Sequence, residues 1–257
     1  MNISGTAIPG LENFRLVLLD ETTSTNDDCL RAAEAGEAEG LVVMAKRQTR
    51  GRGRQGRSWY TAAGACLAFS LLLRPKATEA DCLGRFSALA GLALVRVLDQ
   101  TLPGVAGVKW PNDVLVGGRK VCGILPEAFW QGGQTQALVL GMGVNLQPEA
   151  LPADLGLTFP ASDLRSALGR DFDPKELLIA ILREVDVLRP AVPSTDFLAL
   201  WNQRLAWKGE LARVRSNTGQ LVRVHIIGVN PDGSLLTREP SGRERIFYSA
   251  ELEGSAG

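Results

Sequence analysis

Histidine is nearly absent from this chain: there is one, His225, in 257 residues. So little imidazole leaves small scope for a His-built metal site. A Ser-His-Asp hydrolase would have to draw its only base from the alternating, strand-like stretch at 221–227. Cysteine is scarce as well. Cys29, Cys66, Cys82 and Cys122 stand far apart with no Cys-x-x-Cys pair, which argues against zinc or disulfide frameworks and leaves four small apolar core residues. Apolar runs such as 67–73 fall far short of the roughly 20 residues a membrane-spanning helix needs. The first residues carry neither the basic nor the apolar region of a secretory signal, so the expectation is a soluble, cytoplasmic protein. Net charge is missing too. Twenty-eight Lys and Arg balance 28 Asp and Glu, which argues against a general nucleic-acid or anionic-membrane binder.

Against that neutral background one stretch stands out. Residues 46–57, Lys-Arg-Gln-Thr-Arg-Gly-Arg-Gly-Arg-Gln-Gly-Arg, hold six cations and three glycines without an acid. Glycines are costly inside helices and strands and the charges resist burial, so the segment reads as a loop built for an anion. Forked arginine donors suit phosphate or carboxylate. Gly51, Gly53 and Gly56 also fit the dinucleotide fingerprint G-x-G-x-x-G, but that motif needs a helix opening there and an acid about twenty residues on. Neither is present, since Ser58-Trp59-Tyr60-Thr61 leads to another apolar run and Arg74-Pro75-Lys76 stands where the acid should be. A solvated basic loop and a nucleic-acid arm remain as alternatives on this stretch alone.

The rest of the chain reads as a mixed α+β domain. Strands are predicted at 14–20, 41–45, 65–73 and 136–146, and helices at 79–102, 163–168, 174–188 and 195–205. The polar run Thr22-Thr23-Ser24-Thr25-Asn26-Asp27-Asp28 opens a helix that continues through Leu30, Ala32 and Ala33 to Gly36. One hydroxyl should cap it, and the surplus hydroxyls suit a polar ligand or simply a hydrophilic turn. Gly117-Gly118 joins an extended run at 114–116, with Asn112 and Asp113 just before it, to a second at 119–125 as a hairpin. Pro126 interrupts the second run, which points to a sheet edge or a bulge. Gly141 and Gly143 mark close approach of a ligand or another backbone in the strand 136–146, with Asn145 following them. From 209 onward short alternating runs at 211–215, 221–228, 234–237 and 243–248, punctuated by Asn217-Thr218-Gly219 and Asn230-Pro231-Asp232-Gly233, form a small all-β unit of SH3-like size. Residues 253–257 are expected to fray.

Taken in order, Ser24-Thr25-Asn26, Gln48, Gly51-Arg52-Gly53-Arg54-Gln55-Gly56-Arg57-Ser58-Trp59, Lys109-Trp110-Pro111-Asn112-Asp113, Arg119-Lys120-Val121-Cys122-Gly123-Ile124-Leu125 and Gly141-Met142-Gly143-Val144-Asn145 resemble biotin protein ligase. The resemblance implies a catalytic domain at 13–207, a mixed sheet with packed helices similar to class II tRNA synthetases. An SH3-like domain would follow at 208–254. With the Ser-Thr-Asn motif already at position 24, it implies the monofunctional type without an N-terminal DNA-binding domain. It also implies ATP with Mg2+, biotin as substrate and a biotin carboxyl carrier domain, such as that of acetyl-CoA carboxylase, as partner. A homodimer is compatible with it; DNA and membrane are not expected.

The implied chemistry has two steps. Biotin's carboxylate attacks the α-phosphorus of ATP to give biotinyl-5'-AMP and pyrophosphate, and a carrier lysine then takes the acyl group and releases AMP. Bringing a carboxylate to a polyphosphate opposes like charges, so fixed cations matter more than a proton-transfer base. By resemblance, Ser24, Thr25, Asn26, Gln48, Arg52, Gly53, Arg54, Lys120 and Gly123 hold biotin. Arg54, Arg57, Trp59 and Asn145 meet the nucleotide, and Lys120, Arg54 and Arg52 act on the reacting centre. Trp59 reads equally as a ligand wall or a core aromatic. Asp113 reads as a contact to the acceptor lysine or Mg2+, or as a structural turn carboxylate, with no dedicated metal cage visible. The rivals are a lipoate-type ligase, whose loop lacks the Gly-Arg-Gly-Arg run, and an RNA-binding module using the Arg/Gly loop.

Overall fold

A computed structural model describes residues 5–151, 159–216 and 218–255. Three positions in the sequence expectations, Asn217 of the turn and 256 and 257 of the tail, lie outside them. In chain order the strands are β1 (Thr6–Ile8), β2 (Leu11–Thr22), β3 (Leu41–Gln48), β4 (Cys66–Leu73), β5 (Ala106–Lys109), β6 (Asp113–Val116), β7 (Arg119–Gln131), β8 (Gln134–Asn145), β9 (Leu211–Ser216), β10 (Leu221–Val229), β11 (Leu235–Arg238), β12 (Glu244–Phe247) and β13 (Ala250–Ser255). The helices are α1 (Thr25–Glu34), α2 (Phe86–Asp99), α3 (Leu164–Leu168), α4 (Pro174–Leu188) and α5 (Thr195–Gln203).

Eight strands form one sheet in the order β1-β2-β3-β4-β8-β7-β6-β5. Only β2 and β3 run parallel, with α1 as their crossover; the other pairs are antiparallel. Helices cover both faces, so alternation along the central strands divides residues between two cores. Val42, Met44, Leu67, Phe69, Leu71, Leu140 and Met142 belong to the large core shared with α2 and α4. Leu41, Val43, Leu72, Ala137 and Val139 pack instead with Cys29, Ala32 and Ala33 of α1. All eight residues of β4 are consequently buried. The second sheet, β12-β11-β10-β9-β13, is antiparallel throughout and forms the small C-terminal β unit.

Several expectations need correcting. The predicted helix 79–102 begins as a 3-10 segment, Ala77–Arg85, broken at Cys82 (φ −129°), and becomes α-helical only at Phe86. Packing explains this start: a Cβ on Gly84 would lie 3.0 Å from the Asp232 carbonyl, and buried Arg85 donates to the carbonyls of Pro231, Val192 and Ser194. The segment from Glu253 does not fray before Ser255, because β13 pairs with β9 that far. No hydroxyl caps α1. Ser24 occupies the N-cap position without a side-chain bond, and the Thr25 N–H donates instead to Gln48 Oε1 at 2.9 Å. The four cysteines are buried and unpaired, as expected. Pro126 takes the edge solution. It pairs with Leu140 on one side, while β6 pairing ends at Gly123.

Candidate functional site

Helix α1 covers only part of its face of the sheet. Beyond its N-terminus, Ala68, Ser70, Gly123, Gly141 and Gly143 are among the residues of β4, β7 and β8 that alternate onto that face, and the registers place Ala68 opposite Gly143, Ser70 opposite Gly141 and Gly123 opposite Gly143. Side chains this small leave a floor of backbone. The hollow above it encloses about 750 Å³. Ser24, Thr25, Asn26, Gln48, Arg52, Gly53, Arg54, Arg57, Trp59, Asp113, Lys120, Gly123 and Asn145 all line this one cleft, so the structure brings together every site residue expected from sequence.

At one end stands a polar cluster. Gln48 Oε1 accepts from Thr25 N–H and Oγ1, while its Nε2 donates to Thr61 Oγ1 at 3.3 Å. Buried Ser70 Oγ lies 2.8 Å from Thr25 Oγ1 and 2.5 Å from Asn26 Oδ1. Asn26 Nδ2 donates to the Leu125 carbonyl and to Glu127 Oε2. Gly141 is required by this packing, since a Cβ there would stand 2.1 Å from Asn26 Oδ1. The Ser24 hydroxyl, excused from capping, borders the cleft.

At the other end lie the cations. Lys109 Nζ and Lys120 Nζ sit 3.0 and 2.7 Å from the two oxygens of buried Asp113. Burial opposes ionisation of Asp113, but the two ammonium groups outweigh it and hold the carboxyl below its ordinary value. Both oxygens are thus engaged by lysine, which disfavours Asp113 as a metal ligand. Among the described residues no cluster of three or more His, Cys, Asp or Glu is placed to hold a metal.

The basic loop folds over the cleft as a hairpin flap. Arg52 bridges Ser58, Gly53 N–H donates to the Arg57 carbonyl at 2.7 Å, and Trp59 N–H to the Gly51 carbonyl at 2.8 Å. The turn needs left-handed backbone at Gln55 (φ 57°) and Gly56 (φ 74°). Arg52 is held by Glu127 and Asp27, whereas Arg54 reaches Asn112 Oδ1 and Ser249 Oγ, both at 3.2 Å, and Arg57 pairs with Glu251. Burial pulls the Arg54 guanidinium below its ordinary value against the attraction of Asp113 and Glu251. Trp59 lies across Gly123 and Gly143 with Lys120 Nζ 5.7 Å from its ring, and its buried Nε1 meets no partner among the described residues. Asn145 Nδ2 donates to the Ser162 carbonyl at 3.0 Å.

Sequence reasoning missed the contributions of Ser70, Glu127, Phe159, Ser249 and Glu251. Glu127 alone carried a signal, as it alternates with Gly123 and Leu125 onto the cleft face of β7.

The biotin/lipoate A/B protein ligase family matches residues 18–145. A biotin–[acetyl-CoA-carboxylase] ligase from Paracoccus denitrificans is 35% identical over 241 residues, covering 91% of this chain and 98% of that protein. The chain belongs to the biotin/lipoate A/B protein ligase family. The bifunctional ligase/repressor BirA of Bacillus subtilis is 29% identical, covering 93% of this chain and 73% of its own length. Among solved structures, the biotin protein ligase from Aquifex aeolicus in complex with biotin and ATP superposes with a TM-score of 0.78 at 26% identity, covering 93% of this chain and 99% of that one. No helix of the described residues is long and apolar enough to cross a membrane.

Proposed function

We infer that this chain is an ATP-dependent ligase that activates biotin as biotinyl-5'-AMP and transfers it to a lysine of a biotin carboxyl carrier domain. The observation that carries this reading is the composition of one cleft. A mixed donor–acceptor cluster stands at one end, a glycine floor carrying the Trp59 indole runs beneath, and fixed cations meet at the other end under an Arg/Gly flap. The division of labour follows the two sheets: 13–207 binds biotin and ATP, and 208–254 closes the cleft through Ser249 and Glu251.

Biotin's ureido ring offers two N–H donors and one acceptor. Ser24, Thr25, Asn26 and Gln48 present the matching hydroxyls and amides, with Thr25 and Asn26 held by Ser70 and Gln48 by Thr25 and Thr61. A ring analogue that left one of these groups unpaired would lose about 1–3 kcal/mol. The valeryl chain fits along the Trp59 indole that covers Gly123 and Gly143, which directs the carboxylate toward Lys120 and Arg54. Gly53 adds a backbone approach beside them. These cations offset repulsion between the carboxylate and the α-phosphate, and stabilise the charge that moves to pyrophosphate as the P–O bond breaks. Arg57, Trp59 and Asn145 bound the nucleotide side. Asp113 fixes the Lys120 ammonium in place. Arg52 acts at the flap, because its guanidinium is taken by two acids. Magnesium accompanies ATP as the counter-ion of its phosphates, and no protein ligand for it is assigned.

The test is incubation of the chain with an apo biotin carboxyl carrier domain, biotin and ATP, read by mass spectrometry. Addition of one biotinyl group to the carrier lysine is expected. An unmodified carrier, or one modified only when lipoate replaces biotin, overturns the reading.

A further inference from the structure

The flap is pinned on one side by a residue that belongs to none of the motifs. Glu127 sits on the cleft face of β7, two residues beyond Leu125, at the rim. Its two carboxylate oxygens receive both terminal nitrogens of Arg52, at 2.9 and 2.7 Å, and Oε2 also receives Asn26 Nδ2 at 2.7 Å. Asp27, in the first turn of α1, takes a third bond from the Arg52 guanidinium at 2.6 Å. One carboxylate therefore ties three separately positioned pieces: the first leg of the flap hairpin, the N-terminus of α1 and the rim strand. The geometry is a two-pronged guanidinium–carboxylate fork, which fixes orientation as well as distance.

We propose that Glu127 is a positioning residue that acts through Arg52 to keep the flap shut over the bound acyl-adenylate, so that it governs retention of the intermediate more than its formation. This rests on the ligase reading above. Arg52 is four residues along the flap hairpin from Gly56 and opposite Ser58, so holding Arg52 down holds the leg that carries Gly53 and Arg54 over the cleft. The cations at the reacting centre, Arg54 and Lys120, have their own partners in Asn112, Ser249 and Asp113, none of which is Glu127. Loss of Glu127 thus loosens the lid while leaving those contacts in place. In Glu127→Gln one oxygen becomes an N–H donor, which must face either Asn26 Nδ2 or Arg52, both donors themselves.

The experiment uses the full chain with biotin and MgATP and no carrier. Pyrophosphate exchange measures formation of the intermediate, and biotinyl-adenylate in the ultrafiltrate measures escape. For E127Q, exchange within about threefold of wild type and escape raised about tenfold or more are expected. Arg52→Ala should raise escape likewise, and the E127Q/R52A double variant should escape no faster than the faster single, because the two residues act as one unit. Both groups are partly exposed, so wild-type retention should fall with added salt, and E127Q should respond less. Unchanged escape in E127Q, or escape that multiplies in the double variant, overturns the proposal. If E127Q does not fold by circular dichroism, Arg52→Lys, which keeps charge but lacks the fork, takes its place; wild-type retention in R52K overturns the proposal equally. A wild-type chain that forms no adenylate would count against the ligase reading itself, not against the role of Glu127.

Discussion

A Cβ on Gly143 would lie 2.3 Å from Cε2 of Trp59, so the indole rests directly on the backbone of β8. Across the ladder, Gly123 faces Gly143 and would meet Cζ3 of the same ring at 2.9 Å. Gly143 has no left-handed backbone that alanine would strain, so Gly143→Ala tests the seat alone. The strand itself should be stabilised by roughly 0.5–1 kcal/mol, yet Trp59 must lift off the floor. Pyrophosphate exchange is expected to fall at least about tenfold with little change in melting temperature. Wild-type exchange in this variant would show that the seat has no part in the reaction.

Arg54→Ala and Lys120→Ala each remove one cation from the end of the cleft where charge must be neutralised. Charge-assisted bonds of this kind contribute roughly 1.5–3 kcal/mol, which corresponds to about 10- to 150-fold in rate at 1.36 kcal/mol per decade. The loss should appear in kcat for pyrophosphate exchange more than in biotin binding. Equal rates in the variants and wild type would remove both residues from the chemistry.

Much of this site was legible before the fold. Arg52, Gly53, Arg54 and Arg57 of the basic stretch fall on the cleft, as do Gly141 and Gly143, which in an apolar strand had to serve some close approach. The stretch expected as a loop nevertheless starts inside β3, which runs on through Lys46, Arg47 and Gln48. Partners distant in the chain were not legible. Ser249 meets Arg54 across 195 positions, and no local pattern states which edge of a small β unit turns toward a neighbouring sheet. The cap of α1 was misread for a similar reason. Four nearby hydroxyls looked sufficient, but Gln48, 23 positions away, takes the first N–H, which frees Ser24 for the cleft. The 3-10 start before α2 follows from the docking of Gly84 and Arg85 on the turn at 231–233, a tertiary demand that helical periodicity does not encode.

The four thiols should be inert in the native protein. Burial pushes the Cys29 thiol up to about 12 and Cys66 to about 11, and raises Cys82 and Cys122 as well. The thiolate is the reactive form, so at pH 8 its fraction is very small. An aromatic disulfide reagent should titrate none of them before denaturation and all four afterwards. A fast-reacting native thiol would contradict the burial of these side chains.

Asp113 supplies the sharpest pH signature. Its carboxyl lies between Lys109 and Lys120 and is held below the ordinary aspartate value of 3.8 despite burial. For a carboxyl depressed in the folded state, the stabilisation is present above that ordinary value and is lost as pH falls through the lower, native one. Asp113→Asn removes the partner of buried Lys109, and breaking such a buried pair costs about 3–5 kcal/mol. Urea midpoints should therefore separate wild type from D113N widely at pH 7. As pH falls from 3.8 through the lower native value the gap should shrink and close, because acid neutralises in the wild type the charge that the substitution has already removed. Comparing the two proteins at each pH cancels every other titrating group they share. A gap that is absent at pH 7, or that persists unchanged into acid, would mean that the two lysines do not depend on this carboxylate.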